Sequence, residues 1–81
     1  MHYVYVIKSE KTSKMYTGST EDLRKRISEH NIGKVASTKA PRPWKIIYYE
    51  AFVSKNNARR EELFLKMGKG RERIKWLFKK E

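Results

Sequence analysis

Two tyrosines, Tyr5 and Tyr16, end and begin short aromatic triplets, Tyr3-Val4-Tyr5 and Tyr16-Thr17-Gly18, and a basic stretch carrying Arg26 and His30 follows. Phenol, guanidinium and imidazole groups gathered into one site can handle phosphate. Hydrolysis of a phosphodiester needs a nucleophilic water and a group to take its proton. It also needs positive charge against a phosphorane-like transition state, and help for the leaving oxygen. Many nucleases supply the charge with two metal ions on a cluster of carboxylates. This chain has nine acidic residues in all, most of them at helix starts or solvent-facing positions, so a single ion suits it better. Either tyrosine alone would read as an ordinary strand aromatic; with Arg26, His30 and Glu62 in register the catalytic reading is the stronger one.

The elements that must position these groups follow from local patterning. Tyr3 to Ile7 is a run of β-branched and aromatic residues and predicts a buried strand, with Met15 to Gly18 as its short partner and Ser9 to Lys14 as the hairpin loop. Ser19 and Thr20 offer N-caps, and Glu21 and Asp22 stand where a helix N-terminus favours negative charge. A helix is expected from about Glu21 to Asn31, with Leu23 and Ile27 facing the core and Lys25 and Glu29 facing solvent. At roughly 100° per residue, Arg26 and His30 fall beside the Leu23/Ile27 stripe, at its border with the surface. His30 alone would read as a helix-terminal histidine meeting the C-terminal dipole. Gly18 is expected to permit a tight strand-to-helix turn.

Gly33 to Pro43 reads as an exposed loop. Strand character resumes from Trp44 to Val53, with Trp44, Ile46 and Tyr48 alternating against Lys45, Ile47 and Tyr49. Ser54 caps a helix from about Lys55 to Met67, which Gly68 and Gly70 would end. A last helix, about Arg71 to Lys79, brings Ile74, Leu77 and Phe78 to the core. The order β-β-α-β-α-α predicts a small α+β domain, residues 1–81, around a three-stranded antiparallel sheet flanked by helices. On the Lys55 to Met67 helix, Glu62 lies between Ala58 and Leu65 on one face, which aims its carboxylate inward, and an inward carboxylate on a basic protein calls for a cation. Glu61 is the alternative ligand, and periodicity alone leaves both open.

Composition narrows the partners. At 81 residues the chain has room for one modest core and none for a separate recognition domain. A formal net charge of +11 draws in polyanions and releases their counterions. Nucleic acid is the first candidate. Lys14, Arg24, Lys34, Lys39 and Lys66 are plausible backbone contacts, and Ser37-Thr38-Lys39 could bind phosphate through a hydroxyl, an ammonium and backbone amides, with Thr38 as the hydroxyl. An acidic membrane surface is the runner-up, but no segment approaches the ~20 apolar residues that span a bilayer, and the N-terminus lacks a signal-peptide pattern. A cytoplasmic location is expected. The absence of cysteine excludes disulfides, thiolate nucleophiles and Cys-based zinc sites together.

Order and spacing of the two triplets, the Arg26/His30 helix, Ser37-Thr38-Lys39, Pro43-Trp44-Lys45 and Ala58-Arg59-Arg60-Glu61-Glu62 resemble the GIY-YIG nuclease superfamily, in particular its small bacterial stand-alone members. The resemblance implies a metal-dependent endonuclease acting on nucleic acid, DNA more than RNA, with little sequence specificity and one Mg2+ or Mn2+ ion. It also implies the allocation of roles. Tyr5 serves as general base toward water, Tyr16 positions water or phosphate, Arg26 stabilises phosphate charge and His30 supports the tyrosine or the phosphate. Glu62 holds the metal, selected over Glu61 by the count from Ala58. A phenol of pKa near ~10 is a poor base at neutral pH unless nearby cations such as Arg26 or a divalent ion lower the cost. Two positions depart from the family pattern: Tyr3 stands where the first triplet has glycine, and Thr17 where the second has isoleucine. The alternative from a different class is a catalytically silent, basic nucleic-acid-binding module of the same fold.

Overall fold

The strand expected over Tyr3–Ile7 occupies the middle of the molecule. In the computed structural model, which describes residues 1–78, β1 (His2–Ser9) lies between β2 (Met15–Thr20) and β3 (Trp44–Phe52) in one antiparallel sheet of order β2-β1-β3. Helices cover both faces, so Val4, Tyr5, Val6 and Ile7 are all buried rather than alternately buried and exposed. Val4 and Val6 pack with Ala58, Leu65 and Ile74 of α3 (Lys55–Lys66) and α4 (Gly68–Leu77). Tyr5 and Ile7 pack with Trp44, Tyr16 and the Leu23 and Ile27 side chains of α1 (Leu23–Asn31) on the opposite face. Every second residue of β1 therefore belongs to one of two small cores.

The order of elements is as expected, with one addition and several shifted boundaries. Asp22, not Ser19 or Thr20, caps α1, its carboxylate accepting from the Lys25 amide at 3.0 Å; Ser19 and Thr20 remain in β2. Glu29 does not face solvent but is half-buried and paired with Arg26 at 3.1 Å. Within the presumed loop over 33–43, residues Ala36–Lys39 form a short helix, α2, that buries Thr38. Ser54 caps α3 as expected. The chain turns at Met67 and Gly68 already opens α4, so the two glycines start the last helix instead of ending the one before. A Cβ at Gly70 would overlap the Phe64 carbonyl, so α3 and α4 can approach this closely only with glycine there. The predicted end of that helix at Lys79 lies outside the described residues; α4 runs to Leu77.

In β3 the expected alternation fails at one residue. Val6 pairs with Tyr48 but Ile7 pairs with Ile46, leaving Ile47 as an extra residue in the ladder. Ile46 therefore follows Ile7 toward α1 while Tyr48, with Ile47, packs on the α3/α4 core. The bulge sends Tyr48 to the opposite face from Trp44.

Candidate active site

β2 is an edge strand, and the candidate groups meet at it from two sides. From the α1 side comes Tyr5, whose register partner on β2 is Gly18. The Tyr5 side chain lies across that position so closely that a Cβ on Gly18 would stand 2.5 Å from the hydroxyl. Gly18 thus makes room for a phenol, with no positive φ required of it, and the strand continues through Thr20. From the α3 side comes Glu62. Its carboxylate accepts from the Ser19 hydroxyl at 2.7 Å and from Lys66 Nζ at 2.8 Å. Ser19 pairs with Val4, so its side chain belongs to the α3/α4 face.

The Tyr5 hydroxyl is hydrogen-bonded to His30 Nε2 at 2.8 Å, and His30 Nδ1 lies 2.8 Å from Thr38 Oγ1. The Tyr16 ring meets the His30 ring edge-on, with centroids 5.0 Å apart. Tyr5 and Thr38 are each 1 % exposed and His30 is 0 % exposed, so these contacts are made without bulk water. Burial pushes the Tyr5 phenol up to about 12; the nearby Arg26 guanidinium pulls it down, while Tyr16 and Glu62 push with burial. The expectation that Arg26 would ease ionisation of Tyr5 is right in sign but outweighed by desolvation. Burial, and then the Arg26 charge, hold His30 below its ordinary value. His30 is therefore a neutral imidazole at neutral pH. Arg26 itself stays charged, raised by Tyr5 and Glu29 against the cost of burial.

Glu62 and Glu61 are aimed at opposite edges of the sheet. Burial would raise the Glu62 carboxyl, but Lys66 and Ser19 outweigh it and keep the group below its usual range. Glu61 points toward β3 instead, where it meets Glu50 and Arg73; the Glu50 carboxylate is the main cause that raises it to about 7. A carboxyl held half-protonated at neutral pH and turned away from Tyr5 is the weaker ligand. No cluster of three or more His, Cys, Asp or Glu side chains exists among the described residues. One ionised carboxylate fits a hard divalent ion that keeps most of its water, as Mg2+ does, and does not fit a two-metal site.

The expected nucleic-acid contacts separate into distinct places. Lys14 and Lys66 line a cleft of about 600 Å³ between β2 and α3/α4, together with Arg71, Lys75 and an apolar floor that includes Leu65 and Ile74. Because Lys66 is bonded to Glu62, this cleft adjoins the candidate site. Lys39 borders a second depression with Lys11 and Arg42 beside α2, Arg24 a third beside Tyr3 and Tyr49, and Lys34 is exposed. Thr38 is corrected. Its hydroxyl is buried against His30 and cannot face a phosphate.

Three contributors escape a reading of the sequence. Ser19 holds Glu62, Glu29 holds Arg26, and Asn31 joins α1 to β3 by accepting from the Trp44 amide at 2.6 Å and donating to the Trp44 carbonyl at 3.0 Å. The Glu29/Arg26 spacing on one helix was a usable signal; the other two depend on tertiary placement.

The model of the GIY-YIG catalytic domain matches residues 1–75. The chain is 40% identical to a UPF0213 protein of Staphylococcus haemolyticus over 77 residues, covering 94% of this chain and 93% of that one. It is 43% identical to a UPF0213 protein of Streptococcus agalactiae over 65 residues, 79% of this chain and 73% of the relative. The solution NMR structure of a UPF0213 protein from Bacillus halodurans resembles it with a TM-score of 0.58 at 32% identity, covering 95% of this chain and 84% of that one.

Proposed function

The chain belongs to the family of GIY-YIG catalytic domains, and on that premise we propose that it is a metal-dependent endonuclease that hydrolyses nucleic acid, DNA before RNA, with little sequence specificity. The observation that carries this reading is the 2.8 Å hydrogen bond between the Tyr5 hydroxyl and the neutral imidazole of His30, with the Arg26 charge beside it. As a water oxygen bonds to phosphorus, Tyr5 takes the water proton and releases its own to His30. A free phenolate, improbable for a phenol at about 12, is then not required. Arg26 faces the charge that grows on the phosphate oxygens, and Tyr16 positions water or phosphate. Glu62 would hold a single Mg2+ or Mn2+, which when bound supplies further positive charge against the phosphate. Lys14 and Lys66, with Arg71 and Lys75, provide a basic cleft beside the site for the sugar-phosphate backbone.

A second reading, a catalytically silent nucleic-acid-binding module, is favoured by one observation: Lys66 already neutralises Glu62 at 2.8 Å. The two readings separate in a cleavage assay on single-stranded, duplex and branched substrates with and without magnesium or manganese. Metal-dependent cutting of any of them supports the endonuclease. Tight binding with no cutting on all of them supports the silent module.

A further inference from the structure

We infer that Thr38 is a positioning residue for the reaction proposed above: its hydroxyl fixes His30 in the tautomer protonated on Nδ1, so that Tyr5 donates to Nε2 and keeps an oxygen lone pair for the proton of an incoming water. The inference rests on the reading of Tyr5 as proton acceptor, but the tautomer is a property of the folded protein and is measurable without turnover.

The direction of the bonds follows from counting protons. Thr38 Oγ1 lies 3.3 Å from the Val35 carbonyl, which can only accept, and 2.8 Å from His30 Nδ1. With the one hydroxyl proton directed at Val35, the Thr38 oxygen accepts from Nδ1–H. A neutral imidazole carries one N–H, so Nε2 is a bare acceptor, and the group 2.8 Å from it, the Tyr5 hydroxyl, must be the donor. The reverse order would have Nε2–H occupy a lone pair of the phenol oxygen and leave that oxygen poorly placed to receive a proton. Because Tyr5, His30 and Thr38 are each exposed by no more than 1 %, bulk water cannot substitute for any of these partners. Thr38 is itself held in place. Its carbonyl accepts from Trp44 Nε1 at 2.8 Å and its amide bonds to the Val35 carbonyl at 3.1 Å.

The protons balance once solvent is counted, which supplies one to the leaving oxygen and takes one back from His30. The water oxygen bonds to phosphorus, its proton passes to the Tyr5 oxygen, and the former Tyr5 proton passes to Nε2. The ester P–O bond breaks with its electron pair on the leaving oxygen, which is protonated from solvent. The imidazolium so formed keeps Nδ1–H on Thr38. Its charge is opposed by Arg26 and favoured by Glu29, the two charged groups that act on His30.

The test combines nitrogen-15 NMR of the His30 ring with single-turnover cleavage. The wild-type protein is expected to show a protonated Nδ1 and an unprotonated Nε2. Thr38→Val, nearly isosteric, removes the acceptor of a buried N–H, and the ring proton is expected to move to Nε2. Cleavage should then fall about 100-fold, within the range for loss of acid–base assistance, with binding unchanged. Thr38→Ser should restore both the tautomer and the rate. A wild-type ring protonated on Nε2, or a ring whose tautomer is the same in Thr38→Val, overturns the inference. Should Thr38→Val fail to fold, the wild-type and Thr38→Ser spectra still decide. A protein with the expected tautomer but no cleavage on any substrate instead overturns the reading of Tyr5, and with it the role given to Thr38.

Discussion

Gly18 and Tyr5 are register partners on adjacent strands, and the Tyr5 hydroxyl occupies the space in which a side chain at Gly18 would begin. The glycine of the second triplet therefore places a phenol at the edge of the sheet. Because the crowding atoms belong to a buried ring that is bonded to His30, the ring cannot swing away without breaking that bond. Gly18→Ala is expected to cost about 1–3 kcal/mol of stability by overpacking and to slow cleavage by about 100-fold or more through displacement of the hydroxyl. Nucleic-acid binding should be retained. Denaturant unfolding, a binding titration and a single-turnover rate on the same variant check all three.

Glu61 provides a stability prediction with a definite sign. Its folded pKa, raised to about 7, lies above the ordinary carboxyl value. Between those values the folded state holds more protons than the unfolded state, so this contribution is full below the unfolded value and lost as pH rises through about 7. Glu50 Oε1 is buried without a hydrogen-bond partner among the described residues, and a protonated Glu61 can donate to the Glu50 carboxylate where an ionised one cannot. Glu61→Gln keeps a donor at every pH. The variant should melt about 4–8 °C above the wild type at pH 8, for a gain near 1 kcal/mol, and the difference should shrink toward pH 5. His30, whose folded pKa is lowered, acts in the opposite direction as pH falls below its ordinary value. It does so in both proteins and cancels from the comparison.

Binding should be dominated by counterion release, given the net charge of +11. Neutralising Lys14 and Arg71 together should weaken affinity for oligonucleotides regardless of sequence and flatten the salt dependence by about two counterions, or roughly 0.9 per phosphate contact on duplex. A double variant at Lys34 and Lys25, exposed and outside the cleft, should move the slope less. Titrations over a range of ionic strength distinguish the two.

The parts of the site that were legible in the sequence are those in which chemistry is local. Tyr5, Tyr16, Arg26 and His30 lie on consecutive elements; the helix period puts Arg26 and His30 beside the Leu23/Ile27 stripe, and the resemblance joins them to the tyrosines. Arg26 is half-buried as a border position requires, but His30 is not at the surface: docking of α1 and α2 buries it completely. Thr38 was not legible. Its neighbours Ser37 and Lys39 mark a polar loop, and only the docking of α2 against Trp44 turns its hydroxyl to His30. Nor was the bulge at Ile47, because Ile46, Ile47, Tyr48 and Tyr49 are all strand formers and no polar residue marks the reversal of faces. Adjacent acids such as Glu61 and Glu62 differ by roughly 100° around a helix. Which of them meets β2 depends on how α3 is rotated on the sheet.

The most direct measurement is single-turnover cleavage at saturating protein, with magnesium, comparing wild type, Glu62→Gln and Glu61→Gln, so that a binding defect cannot imitate a chemical one. Glu62→Gln keeps the shape of the side chain beside Ser19 but not its charge. The account predicts that it abolishes metal-dependent cleavage and leaves binding intact or slightly tighter, while Glu61→Gln keeps most of the wild-type rate. Full activity in Glu62→Gln, or its loss in Glu61→Gln alone, would contradict the account.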